Sequence, residues 1–260
     1  MPNQEPLDYL PLWGAFGVTV AILLLAVEAG FLLGGHQRRQ SEEAQKAEVG
    51  EIVVALLGLM SLLLAFTFSL AASRAETRRS LVLEEANAIG TTWLRAGLLS
   101  EPYRGEIRGL LREYLEARLG AVQSGQVQQG IVRSEDLQNR LWAQAVAVGQ
   151  KEPGSIVAGL FIASLNEVID LHAKRVMFGL RTRIPPSIWA VLYSVTLLSL
   201  GAMGYNAGLA GARRSRAIFI LVLTVSTVLL LIADLDRPQE GLVKASQQSL
   251  ADLRGLMNGR

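Results

Sequence analysis

Residues 63–90 read LLAFTFSLAASRAETRRSLVLEEANAIG. The first third of this stretch is apolar enough for a membrane, and the remainder is dense in Arg and Glu. No proline interrupts the run from Glu51 to Leu99, and strong helix formers dominate it. The stretch therefore predicts one helix of about 45 residues, roughly 65–70 Å long. It begins in the membrane and continues beyond the membrane as a charged stalk.

The apolar residues of the chain are concentrated in four blocks, each close to the roughly 18–20 residues that a spanning helix needs. The blocks are Leu12–Leu33, Ile52–Ala72, Ser187–Tyr205 and Ala217–Leu235. A signal peptide is the alternative for the first block, but its length, the absence of Lys or Arg before it and the lack of a clean cleavage site favour a span. We therefore predict four transmembrane helices.

The residues between spans two and three predict a helical insert. Its apolar positions recur every three or four residues, for example Ile107, Leu111 and Tyr114, and Ser134 is a candidate N-cap. No strand or hairpin pattern is present. The predicted fold is all-α, with spans one and two in 1–72, the extramembrane insert in 73–186, spans three and four in 187–236, and a tail with a short helix in 237–260.

One face of span two carries a stripe of small side chains. At 100° per residue the stripe contains Gly58, Ser61, Ala65, Ser69 and Ala72, with Glu51 at one end and Glu76 at the other. Small residues in lipid usually mediate close helix packing. The other interpretation is a pore lining, in which carboxylates at the mouths attract cations. Phe66 and Phe68 are then candidates for a hydrophobic constriction.

Acidic residues end span four, where the helix dipole disfavours negative charge. Asp234 and Asp236 therefore need a counter-charge, and salt bridges to the stalk are the first interpretation. The weaker alternative is that the two carboxylates bind a hard cation. They are only weak candidates for a metal site. The same network is predicted to place Glu84, Glu85 and Asn87 near Asn166 and Asp170. Its basic members are Arg74, Arg78, Arg79 and Arg237.

The sequence gives no indication of an enzyme. It has no cysteine, P-loop, dinucleotide-binding glycine run, nucleophile elbow or H-E-x-x-H motif. His36 and His172 have no partner at a metal-binding spacing. A net charge of +2 gives no indication of nucleic-acid binding. We expect neither catalysis nor a cofactor.

Two segments resemble the signatures of the bacterial bestrophin-like domain family, whose function is unknown. The first is LLGLMSLLLAFTFSLAASRAETRRSLVLEEANAIGTTWLRAGLL (56–99), and the second is IADLDRPQEG (232–241) followed by ASQQSLADL (245–253). NEVIDLHAKR (166–175) and IPPSIWAVLYSVTLLSLGAMGYNAGLAG (184–211) fit between them in order. The resemblance covers residues 12–255.

The layout is also similar to that of bestrophins, which are pentameric ion channels with four spans and a pore lined by span two. The resemblance implies an oligomeric channel for small ions in the bacterial inner membrane. Its partners would be lipid and further copies of the chain. Only Asp234 and Asp236 stand where bestrophins carry an acidic calcium-binding run, so calcium gating is not implied. The alternative function is a non-conducting sensor or scaffold whose insert binds a ligand or partner.

The charges of the loops conflict over orientation. The loops after spans one and three carry Arg38, Arg39, Lys46, Arg213, Arg214 and Arg216. The positive-inside rule places these loops in the cytoplasm and the insert outside. The membrane-proximal ends of the insert are basic as well, and bestrophins keep their insert in the cytoplasm. The loop charges favour an external insert.

Overall fold

The computed structural model describes residues 11–38, 43–212, 216–237 and 245–259, and this part of the chain is all-α, as predicted. A short π-helix at Met177–Arg181 follows α5. The helices are α1 (Leu12–Gln37), α2 (Glu43–Ala96), α3 (Tyr103–Gln123), α4 (Val127–Lys151), α5 (Ile156–Val176), α6 (Pro186–Ala210), α7 (Arg216–Asp236) and α8 (Gln248–Asn258).

Helix α2 is longer than the sequence pattern predicts. It has 54 residues and is about 80 Å long at 1.5 Å per residue. The helix begins at Glu43 because the charged segment before span two also consists of good helix formers. It ends at Ala96, immediately before Gly97, where glycine lowers helix propensity. The apolar and charged parts of the opening stretch are therefore one continuous helix.

The chain divides into two compact units. The first unit contains Met1–Ala75 and Arg183–Lys244, and the second contains Glu76–Thr182 and Ala245–Arg260. Helix α8 belongs to the second unit, so the C-terminal helix is part of a folded body.

Five described helices, not the four predicted, are long and apolar enough to cross a membrane. The additional candidate is Ile156–Gly179, inside the segment predicted to be extramembrane. The prediction missed it because this helix is interrupted by charge, although its mean hydropathy reaches 1.5. Its apolar residues also have a packing role, since Phe161, Leu165 and Val168 are completely buried in the core of the second unit. Hydropathy alone does not separate these two uses.

In the first unit, α1 packs against α6 through glycines. A methyl group at Gly204 would lie 2.1 Å from the carbonyl oxygen of Val27, and one at Gly34 would lie 2.1 Å from that of Tyr205. Gly30 and Gly208 make similarly close approaches. These residues form two small-xxx-small motifs, Gly30–Gly34 and Gly204–Gly208, which allow close approach of helix backbones in membranes. Neither motif was among the features predicted from the sequence.

The second unit packs α3, α4, α5 and α8 around the stalk part of α2. The predicted apolar face of α3 is confirmed, since Ile107, Leu111 and Tyr114 are completely buried. The N-cap prediction for Ser134 was wrong. Ser134 lies in the interior of α4, where its hydroxyl donates to the carbonyl of Gly130 at 2.7 Å. Helix α4 already begins at Val127, so Ser134 cannot be its N-cap.

Candidate functional site

The small-residue stripe of α2 is left uncovered by the rest of the first unit. Gly58, Ser61, Ala65 and Ser69 are all exposed, and Glu51 is exposed at the end of the stripe. A methyl group at Gly58 would meet no atom within 4 Å. The close packing of small residues in this unit occurs between α1 and α6 instead. From Gly58 to Ser69 the stripe is therefore a free surface of the single chain, whereas Ala72 is partly buried.

One of the two serine hydroxyls of the stripe, that of Ser61, is satisfied within its own helix. Ser61 Oγ donates to the carbonyl of Leu57 at 2.8 Å. A serine that bonds in this way still offers oxygen lone pairs to water or a cation. Glu76, at the other end of the predicted stripe, is exposed and lies 3.8 Å from Arg79. Glu76 therefore has a basic neighbour, Arg79, that the pore interpretation did not include.

The two predicted constriction residues flank the stripe. Phe66 is 64% exposed and Phe68 is 38% exposed. By helical geometry they lie about 80° to either side of Gly58. Phe66 also lines an apolar groove of about 390 Å³ between α2 and α6, together with Leu63, Leu70 and Val191 among others.

At the end of span four, the first unit brings Arg74 to Asp236. The guanidinium nitrogen of Arg74 lies 4.0 Å from Asp236 Oδ1, and the Asp236 side chain is almost completely buried. The same oxygen accepts the backbone N–H of Ile184 at 2.9 Å. Asp236 thereby fixes the segment before α6 as well as pairing with the stalk arginine. Asp234 and Arg237 are buried beside it in sequence.

The described residues contain no group of three or more His, Cys, Asp or Glu side chains placed to hold a metal ion. The weaker alternative for Asp234 and Asp236, a hard-cation site, therefore receives no further ligand from this part of the chain. Arg78 was also predicted as a counter-charge for Asp236. It belongs to the second unit, whereas Asp236 belongs to the first.

The central polar group of the second unit is the carboxylate of Glu85, which has no solvent exposure. Glu85 Oε1 accepts from Arg118 Nε at 3.0 Å and from the hydroxyl of Tyr114 at 3.1 Å. Its other oxygen, Oε2, accepts from Arg175. Two cations and a phenol from α3 and α5 thus surround one carboxylate of α2. We call these residues, with His172, the Glu85 cluster.

A second layer of side chains orients the cluster. Gln138 on α4 donates to the Tyr114 oxygen at 3.3 Å, and Arg175 donates to the side-chain oxygen of Gln247 at 3.2 Å. Burial, and then the charge of Glu85, raise the pKa of the Tyr114 hydroxyl well above its usual range. Tyr114 therefore remains a neutral donor at physiological pH.

His172 lies against the cluster and is 3% exposed. Its ring meets the Tyr114 ring edge-on, with a distance of 6.3 Å between ring centroids. Neither ring nitrogen has a hydrogen-bond partner within the described chain. A buried polar group without a partner is unusual enough to require an explanation.

The observed partners of Glu85 differ from the neighbours that were predicted from the sequence. The predicted neighbours Asn166 and Asp170 are exposed, as are Glu84 and Asn87. Arg118 was detectable in principle, because it lies four residues after Tyr114 and so shares its buried face. An arginine on the apolar face of an amphipathic helix indicates a buried ion pair. Nothing in the local sequence identifies Glu85 as its partner.

The family profile of the bestrophin-like domain matches residues 18–250, and the chain therefore belongs to that family. This membership and the helices that are long and apolar enough to cross a membrane both indicate a membrane protein. No curated protein and no solved structure matches the chain.

Proposed function

We propose that this bestrophin-like chain is one subunit of a homo-oligomeric channel for small ions, in which α2 lines the pore. The observation that carries the proposal is the uncovered stripe of Gly58, Ser61, Ala65 and Ser69 in a helix apolar enough to span a membrane. A stripe that its own chain does not cover is available to neighbouring copies or to a water-filled path. Family membership supports the same function.

The chemistry of the stripe suits a pore. Small side chains leave space for water, and the serine oxygens can replace part of the hydration shell of an ion. The exposed carboxylate of Glu51 would concentrate cations at one mouth. Phe66 and Phe68 supply apolar surface beside the stripe for a constriction that closes by dewetting. The proposed role is transport without catalysis, and the resemblance implies a ring of five subunits.

Cysteine accessibility tests this proposal directly, because the natural chain contains no cysteine. Ser61→Cys and Ser69→Cys should each make ion flux in liposomes sensitive to a small, charged thiol reagent. Leu198→Cys is the matched control, since Leu198 is an exposed apolar residue of α6, a helix that the proposal does not place in the pore lining. Equal sensitivity at all three positions, or no flux by the wild-type protein, would contradict the proposal.

A specific observation also favours a second function, a non-conducting sensor or scaffold. The second unit has a groove of about 540 Å³ between α2 and α8, lined in part by Leu83, Leu94 and Leu256. These leucines are exposed, so a ligand or partner could bind there. A protein that is a monomer or dimer in mild detergent could not form a central pore from single α2 helices. Such a size would favour this second function.

We propose a bacterial inner-membrane location, with the second unit outside the cytoplasm. The basic loops that motivate this orientation include Arg39, Arg213 and Arg214, which lie outside the described residues. A reporter fused after Arg260 tests the orientation. Alkaline phosphatase activity would support an external C-terminus, whereas fluorescence from a reporter that matures only in the cytoplasm would contradict it.

A further inference from the structure

The Glu85 cluster carries more positive than negative charge. Arg118 and Arg175 both pair with Glu85, and in the described chain neither has another acidic partner. Arginine is effectively always protonated, so two positive charges share one carboxylate. The three side chains are 9%, 12% and 0% exposed, in that order. Buried charge without a counter-charge is costly, so the excess requires compensation.

The cluster also contains an unused hydrogen-bonding group. His172 lies three residues before Arg175, so the two share one face of α5. Tyr114 and Arg118 are four residues apart and share one face of α3 in the same way. The hydroxyl of Tyr114 is committed to Glu85, whereas both nitrogens of His172 are buried and unpartnered. A neutral imidazole has one N–H donor, which can serve a group that accepts hydrogen bonds.

These two observations are independent: the excess positive charge calls for a ligand of negative charge, and His172 supplies a buried donor that such a ligand can use. We propose that Arg118, Arg175 and His172 form a binding site for one small monovalent anion, such as a halide ion or the carboxylate of a small acid. One negative charge balances the excess, whereas a dianion would reverse it. The enclosure of the cluster by α2, α3 and α5 favours a small ion, because both arginine side chains are almost completely buried.

Glu85 then has a positioning role. Its two oxygens hold the guanidinium groups from two different helices, so the anion meets donors that are already oriented. The site lies in the second unit, and it does not depend on whether α2 lines a pore. Its test therefore uses stability, a measurement that is separate from ion flux.

The experiment is thermal unfolding of the full chain in mild detergent at constant ionic strength. Chloride or acetate replaces a bulky organic sulfonate that is too large for the enclosed cluster. The expected result is a saturable rise of several degrees in the unfolding midpoint with either small anion. An unfolding midpoint that is the same in all three salts would overturn the proposal, and this comparison needs no variant.

His172→Phe then separates binding from a purely structural role. It removes both ring nitrogens while keeping a ring of similar size in the core. We expect the saturable anion response to disappear. Arg140→Gln is the control, because Arg140 is an exposed arginine of the same unit that pairs with Glu113. It should retain the full response. A full response in His172→Phe, or equal loss in both variants, would contradict the site.

Discussion

Arg175 on α5 donates to the carboxylate of Glu85 on α2, across 90 positions of sequence. Arg118 on α3 donates to the other oxygen of the same carboxylate. One buried acidic side chain thus connects three helices of the second unit. The stability of that unit should depend on Glu85 more than on any exposed ion pair.

Replacement of Glu85 tests this dependence. Glu85→Ala leaves two buried guanidinium groups without their carboxylate, so we expect a loss of about 3–5 kcal/mol in the free energy of unfolding. Chemical denaturation of the full chain in detergent measures it. Glu113→Ala is the control, since the Glu113–Arg140 pair is exposed and should contribute no more than about 1 kcal/mol. Similar losses of unfolding free energy in the two variants would show that Glu85 stabilises the second unit no more than a residue of an exposed ion pair does.

Tyr114 predicts a specific alkaline sensitivity. Its pKa is raised in the folded protein, first by burial and then by Glu85. Because the neutral form is favoured in the fold, this stabilisation is complete below the unfolded tyrosine pKa of about 10 and declines as the pH rises above it.

The variant Tyr114→Phe should therefore unfold with a shallower loss of stability above pH ~10 than the wild-type protein. Thermal unfolding midpoints at several alkaline pH values measure this slope. Tyr103→Phe, on the same helix but outside the Glu85 cluster, should keep the wild-type slope. An unchanged slope in Tyr114→Phe would show that ionisation of Tyr114 does not contribute to the loss of stability at alkaline pH.

The contact between α1 and α6 should not tolerate a side chain at Gly204. A methyl group there would lie 2.1 Å from a backbone oxygen of Val27, so Gly204→Ala must separate the two helices. We expect a loss of about 1–3 kcal/mol, as for other overpacked sites, and a lower yield of folded protein.

The matched control for Gly204→Ala is Gly17→Ala on α1. A methyl group at Gly17 would meet no atom within 4 Å. Thermal stability and monodispersity in detergent compare the two variants. If Gly204→Ala were as stable as Gly17→Ala, the close backbone contact would not exist in the membrane.

Asp236 has two roles that substitutions can separate. Asp236→Ala removes both the charge facing Arg74 and the acceptor for the Ile184 N–H, so it should cost about 3–5 kcal/mol. Asp236→Asn removes the charge but keeps a carbonyl acceptor, and we expect a smaller loss.

A charge reversal tests the ion pair itself. Asp236→Arg combined with Arg74→Asp should recover only part of the stability, because arginine cannot accept the Ile184 N–H. Unfolding of the single and double variants gives the coupling energy between the two positions. A coupling energy of zero would mean that Arg74 and Asp236 do not interact.

The sequence by itself determined the helical class and four of the five described helices that are long and apolar enough to cross a membrane. These are local properties, because hydropathy, helix propensity and a period of 3.6 residues are readable within one segment. The buried face of α3 followed from the same period, as the completely buried Ile107 and Tyr114 show. The sequence did not show whether the apolar face of α5 meets lipid or a protein core, because the face has the same composition in both cases.

Only the tertiary structure decided which residues meet. Glu85 and its neighbour Glu84 look alike in the sequence, yet one is completely buried between two arginines and the other is exposed. Gly204 and Gly58 both lie in apolar helices, but only Gly204 contacts another backbone. The physical reason is that partners of a buried charge or a glycine lie on other helices. Packing of the whole unit selects them, and no local pattern encodes that choice.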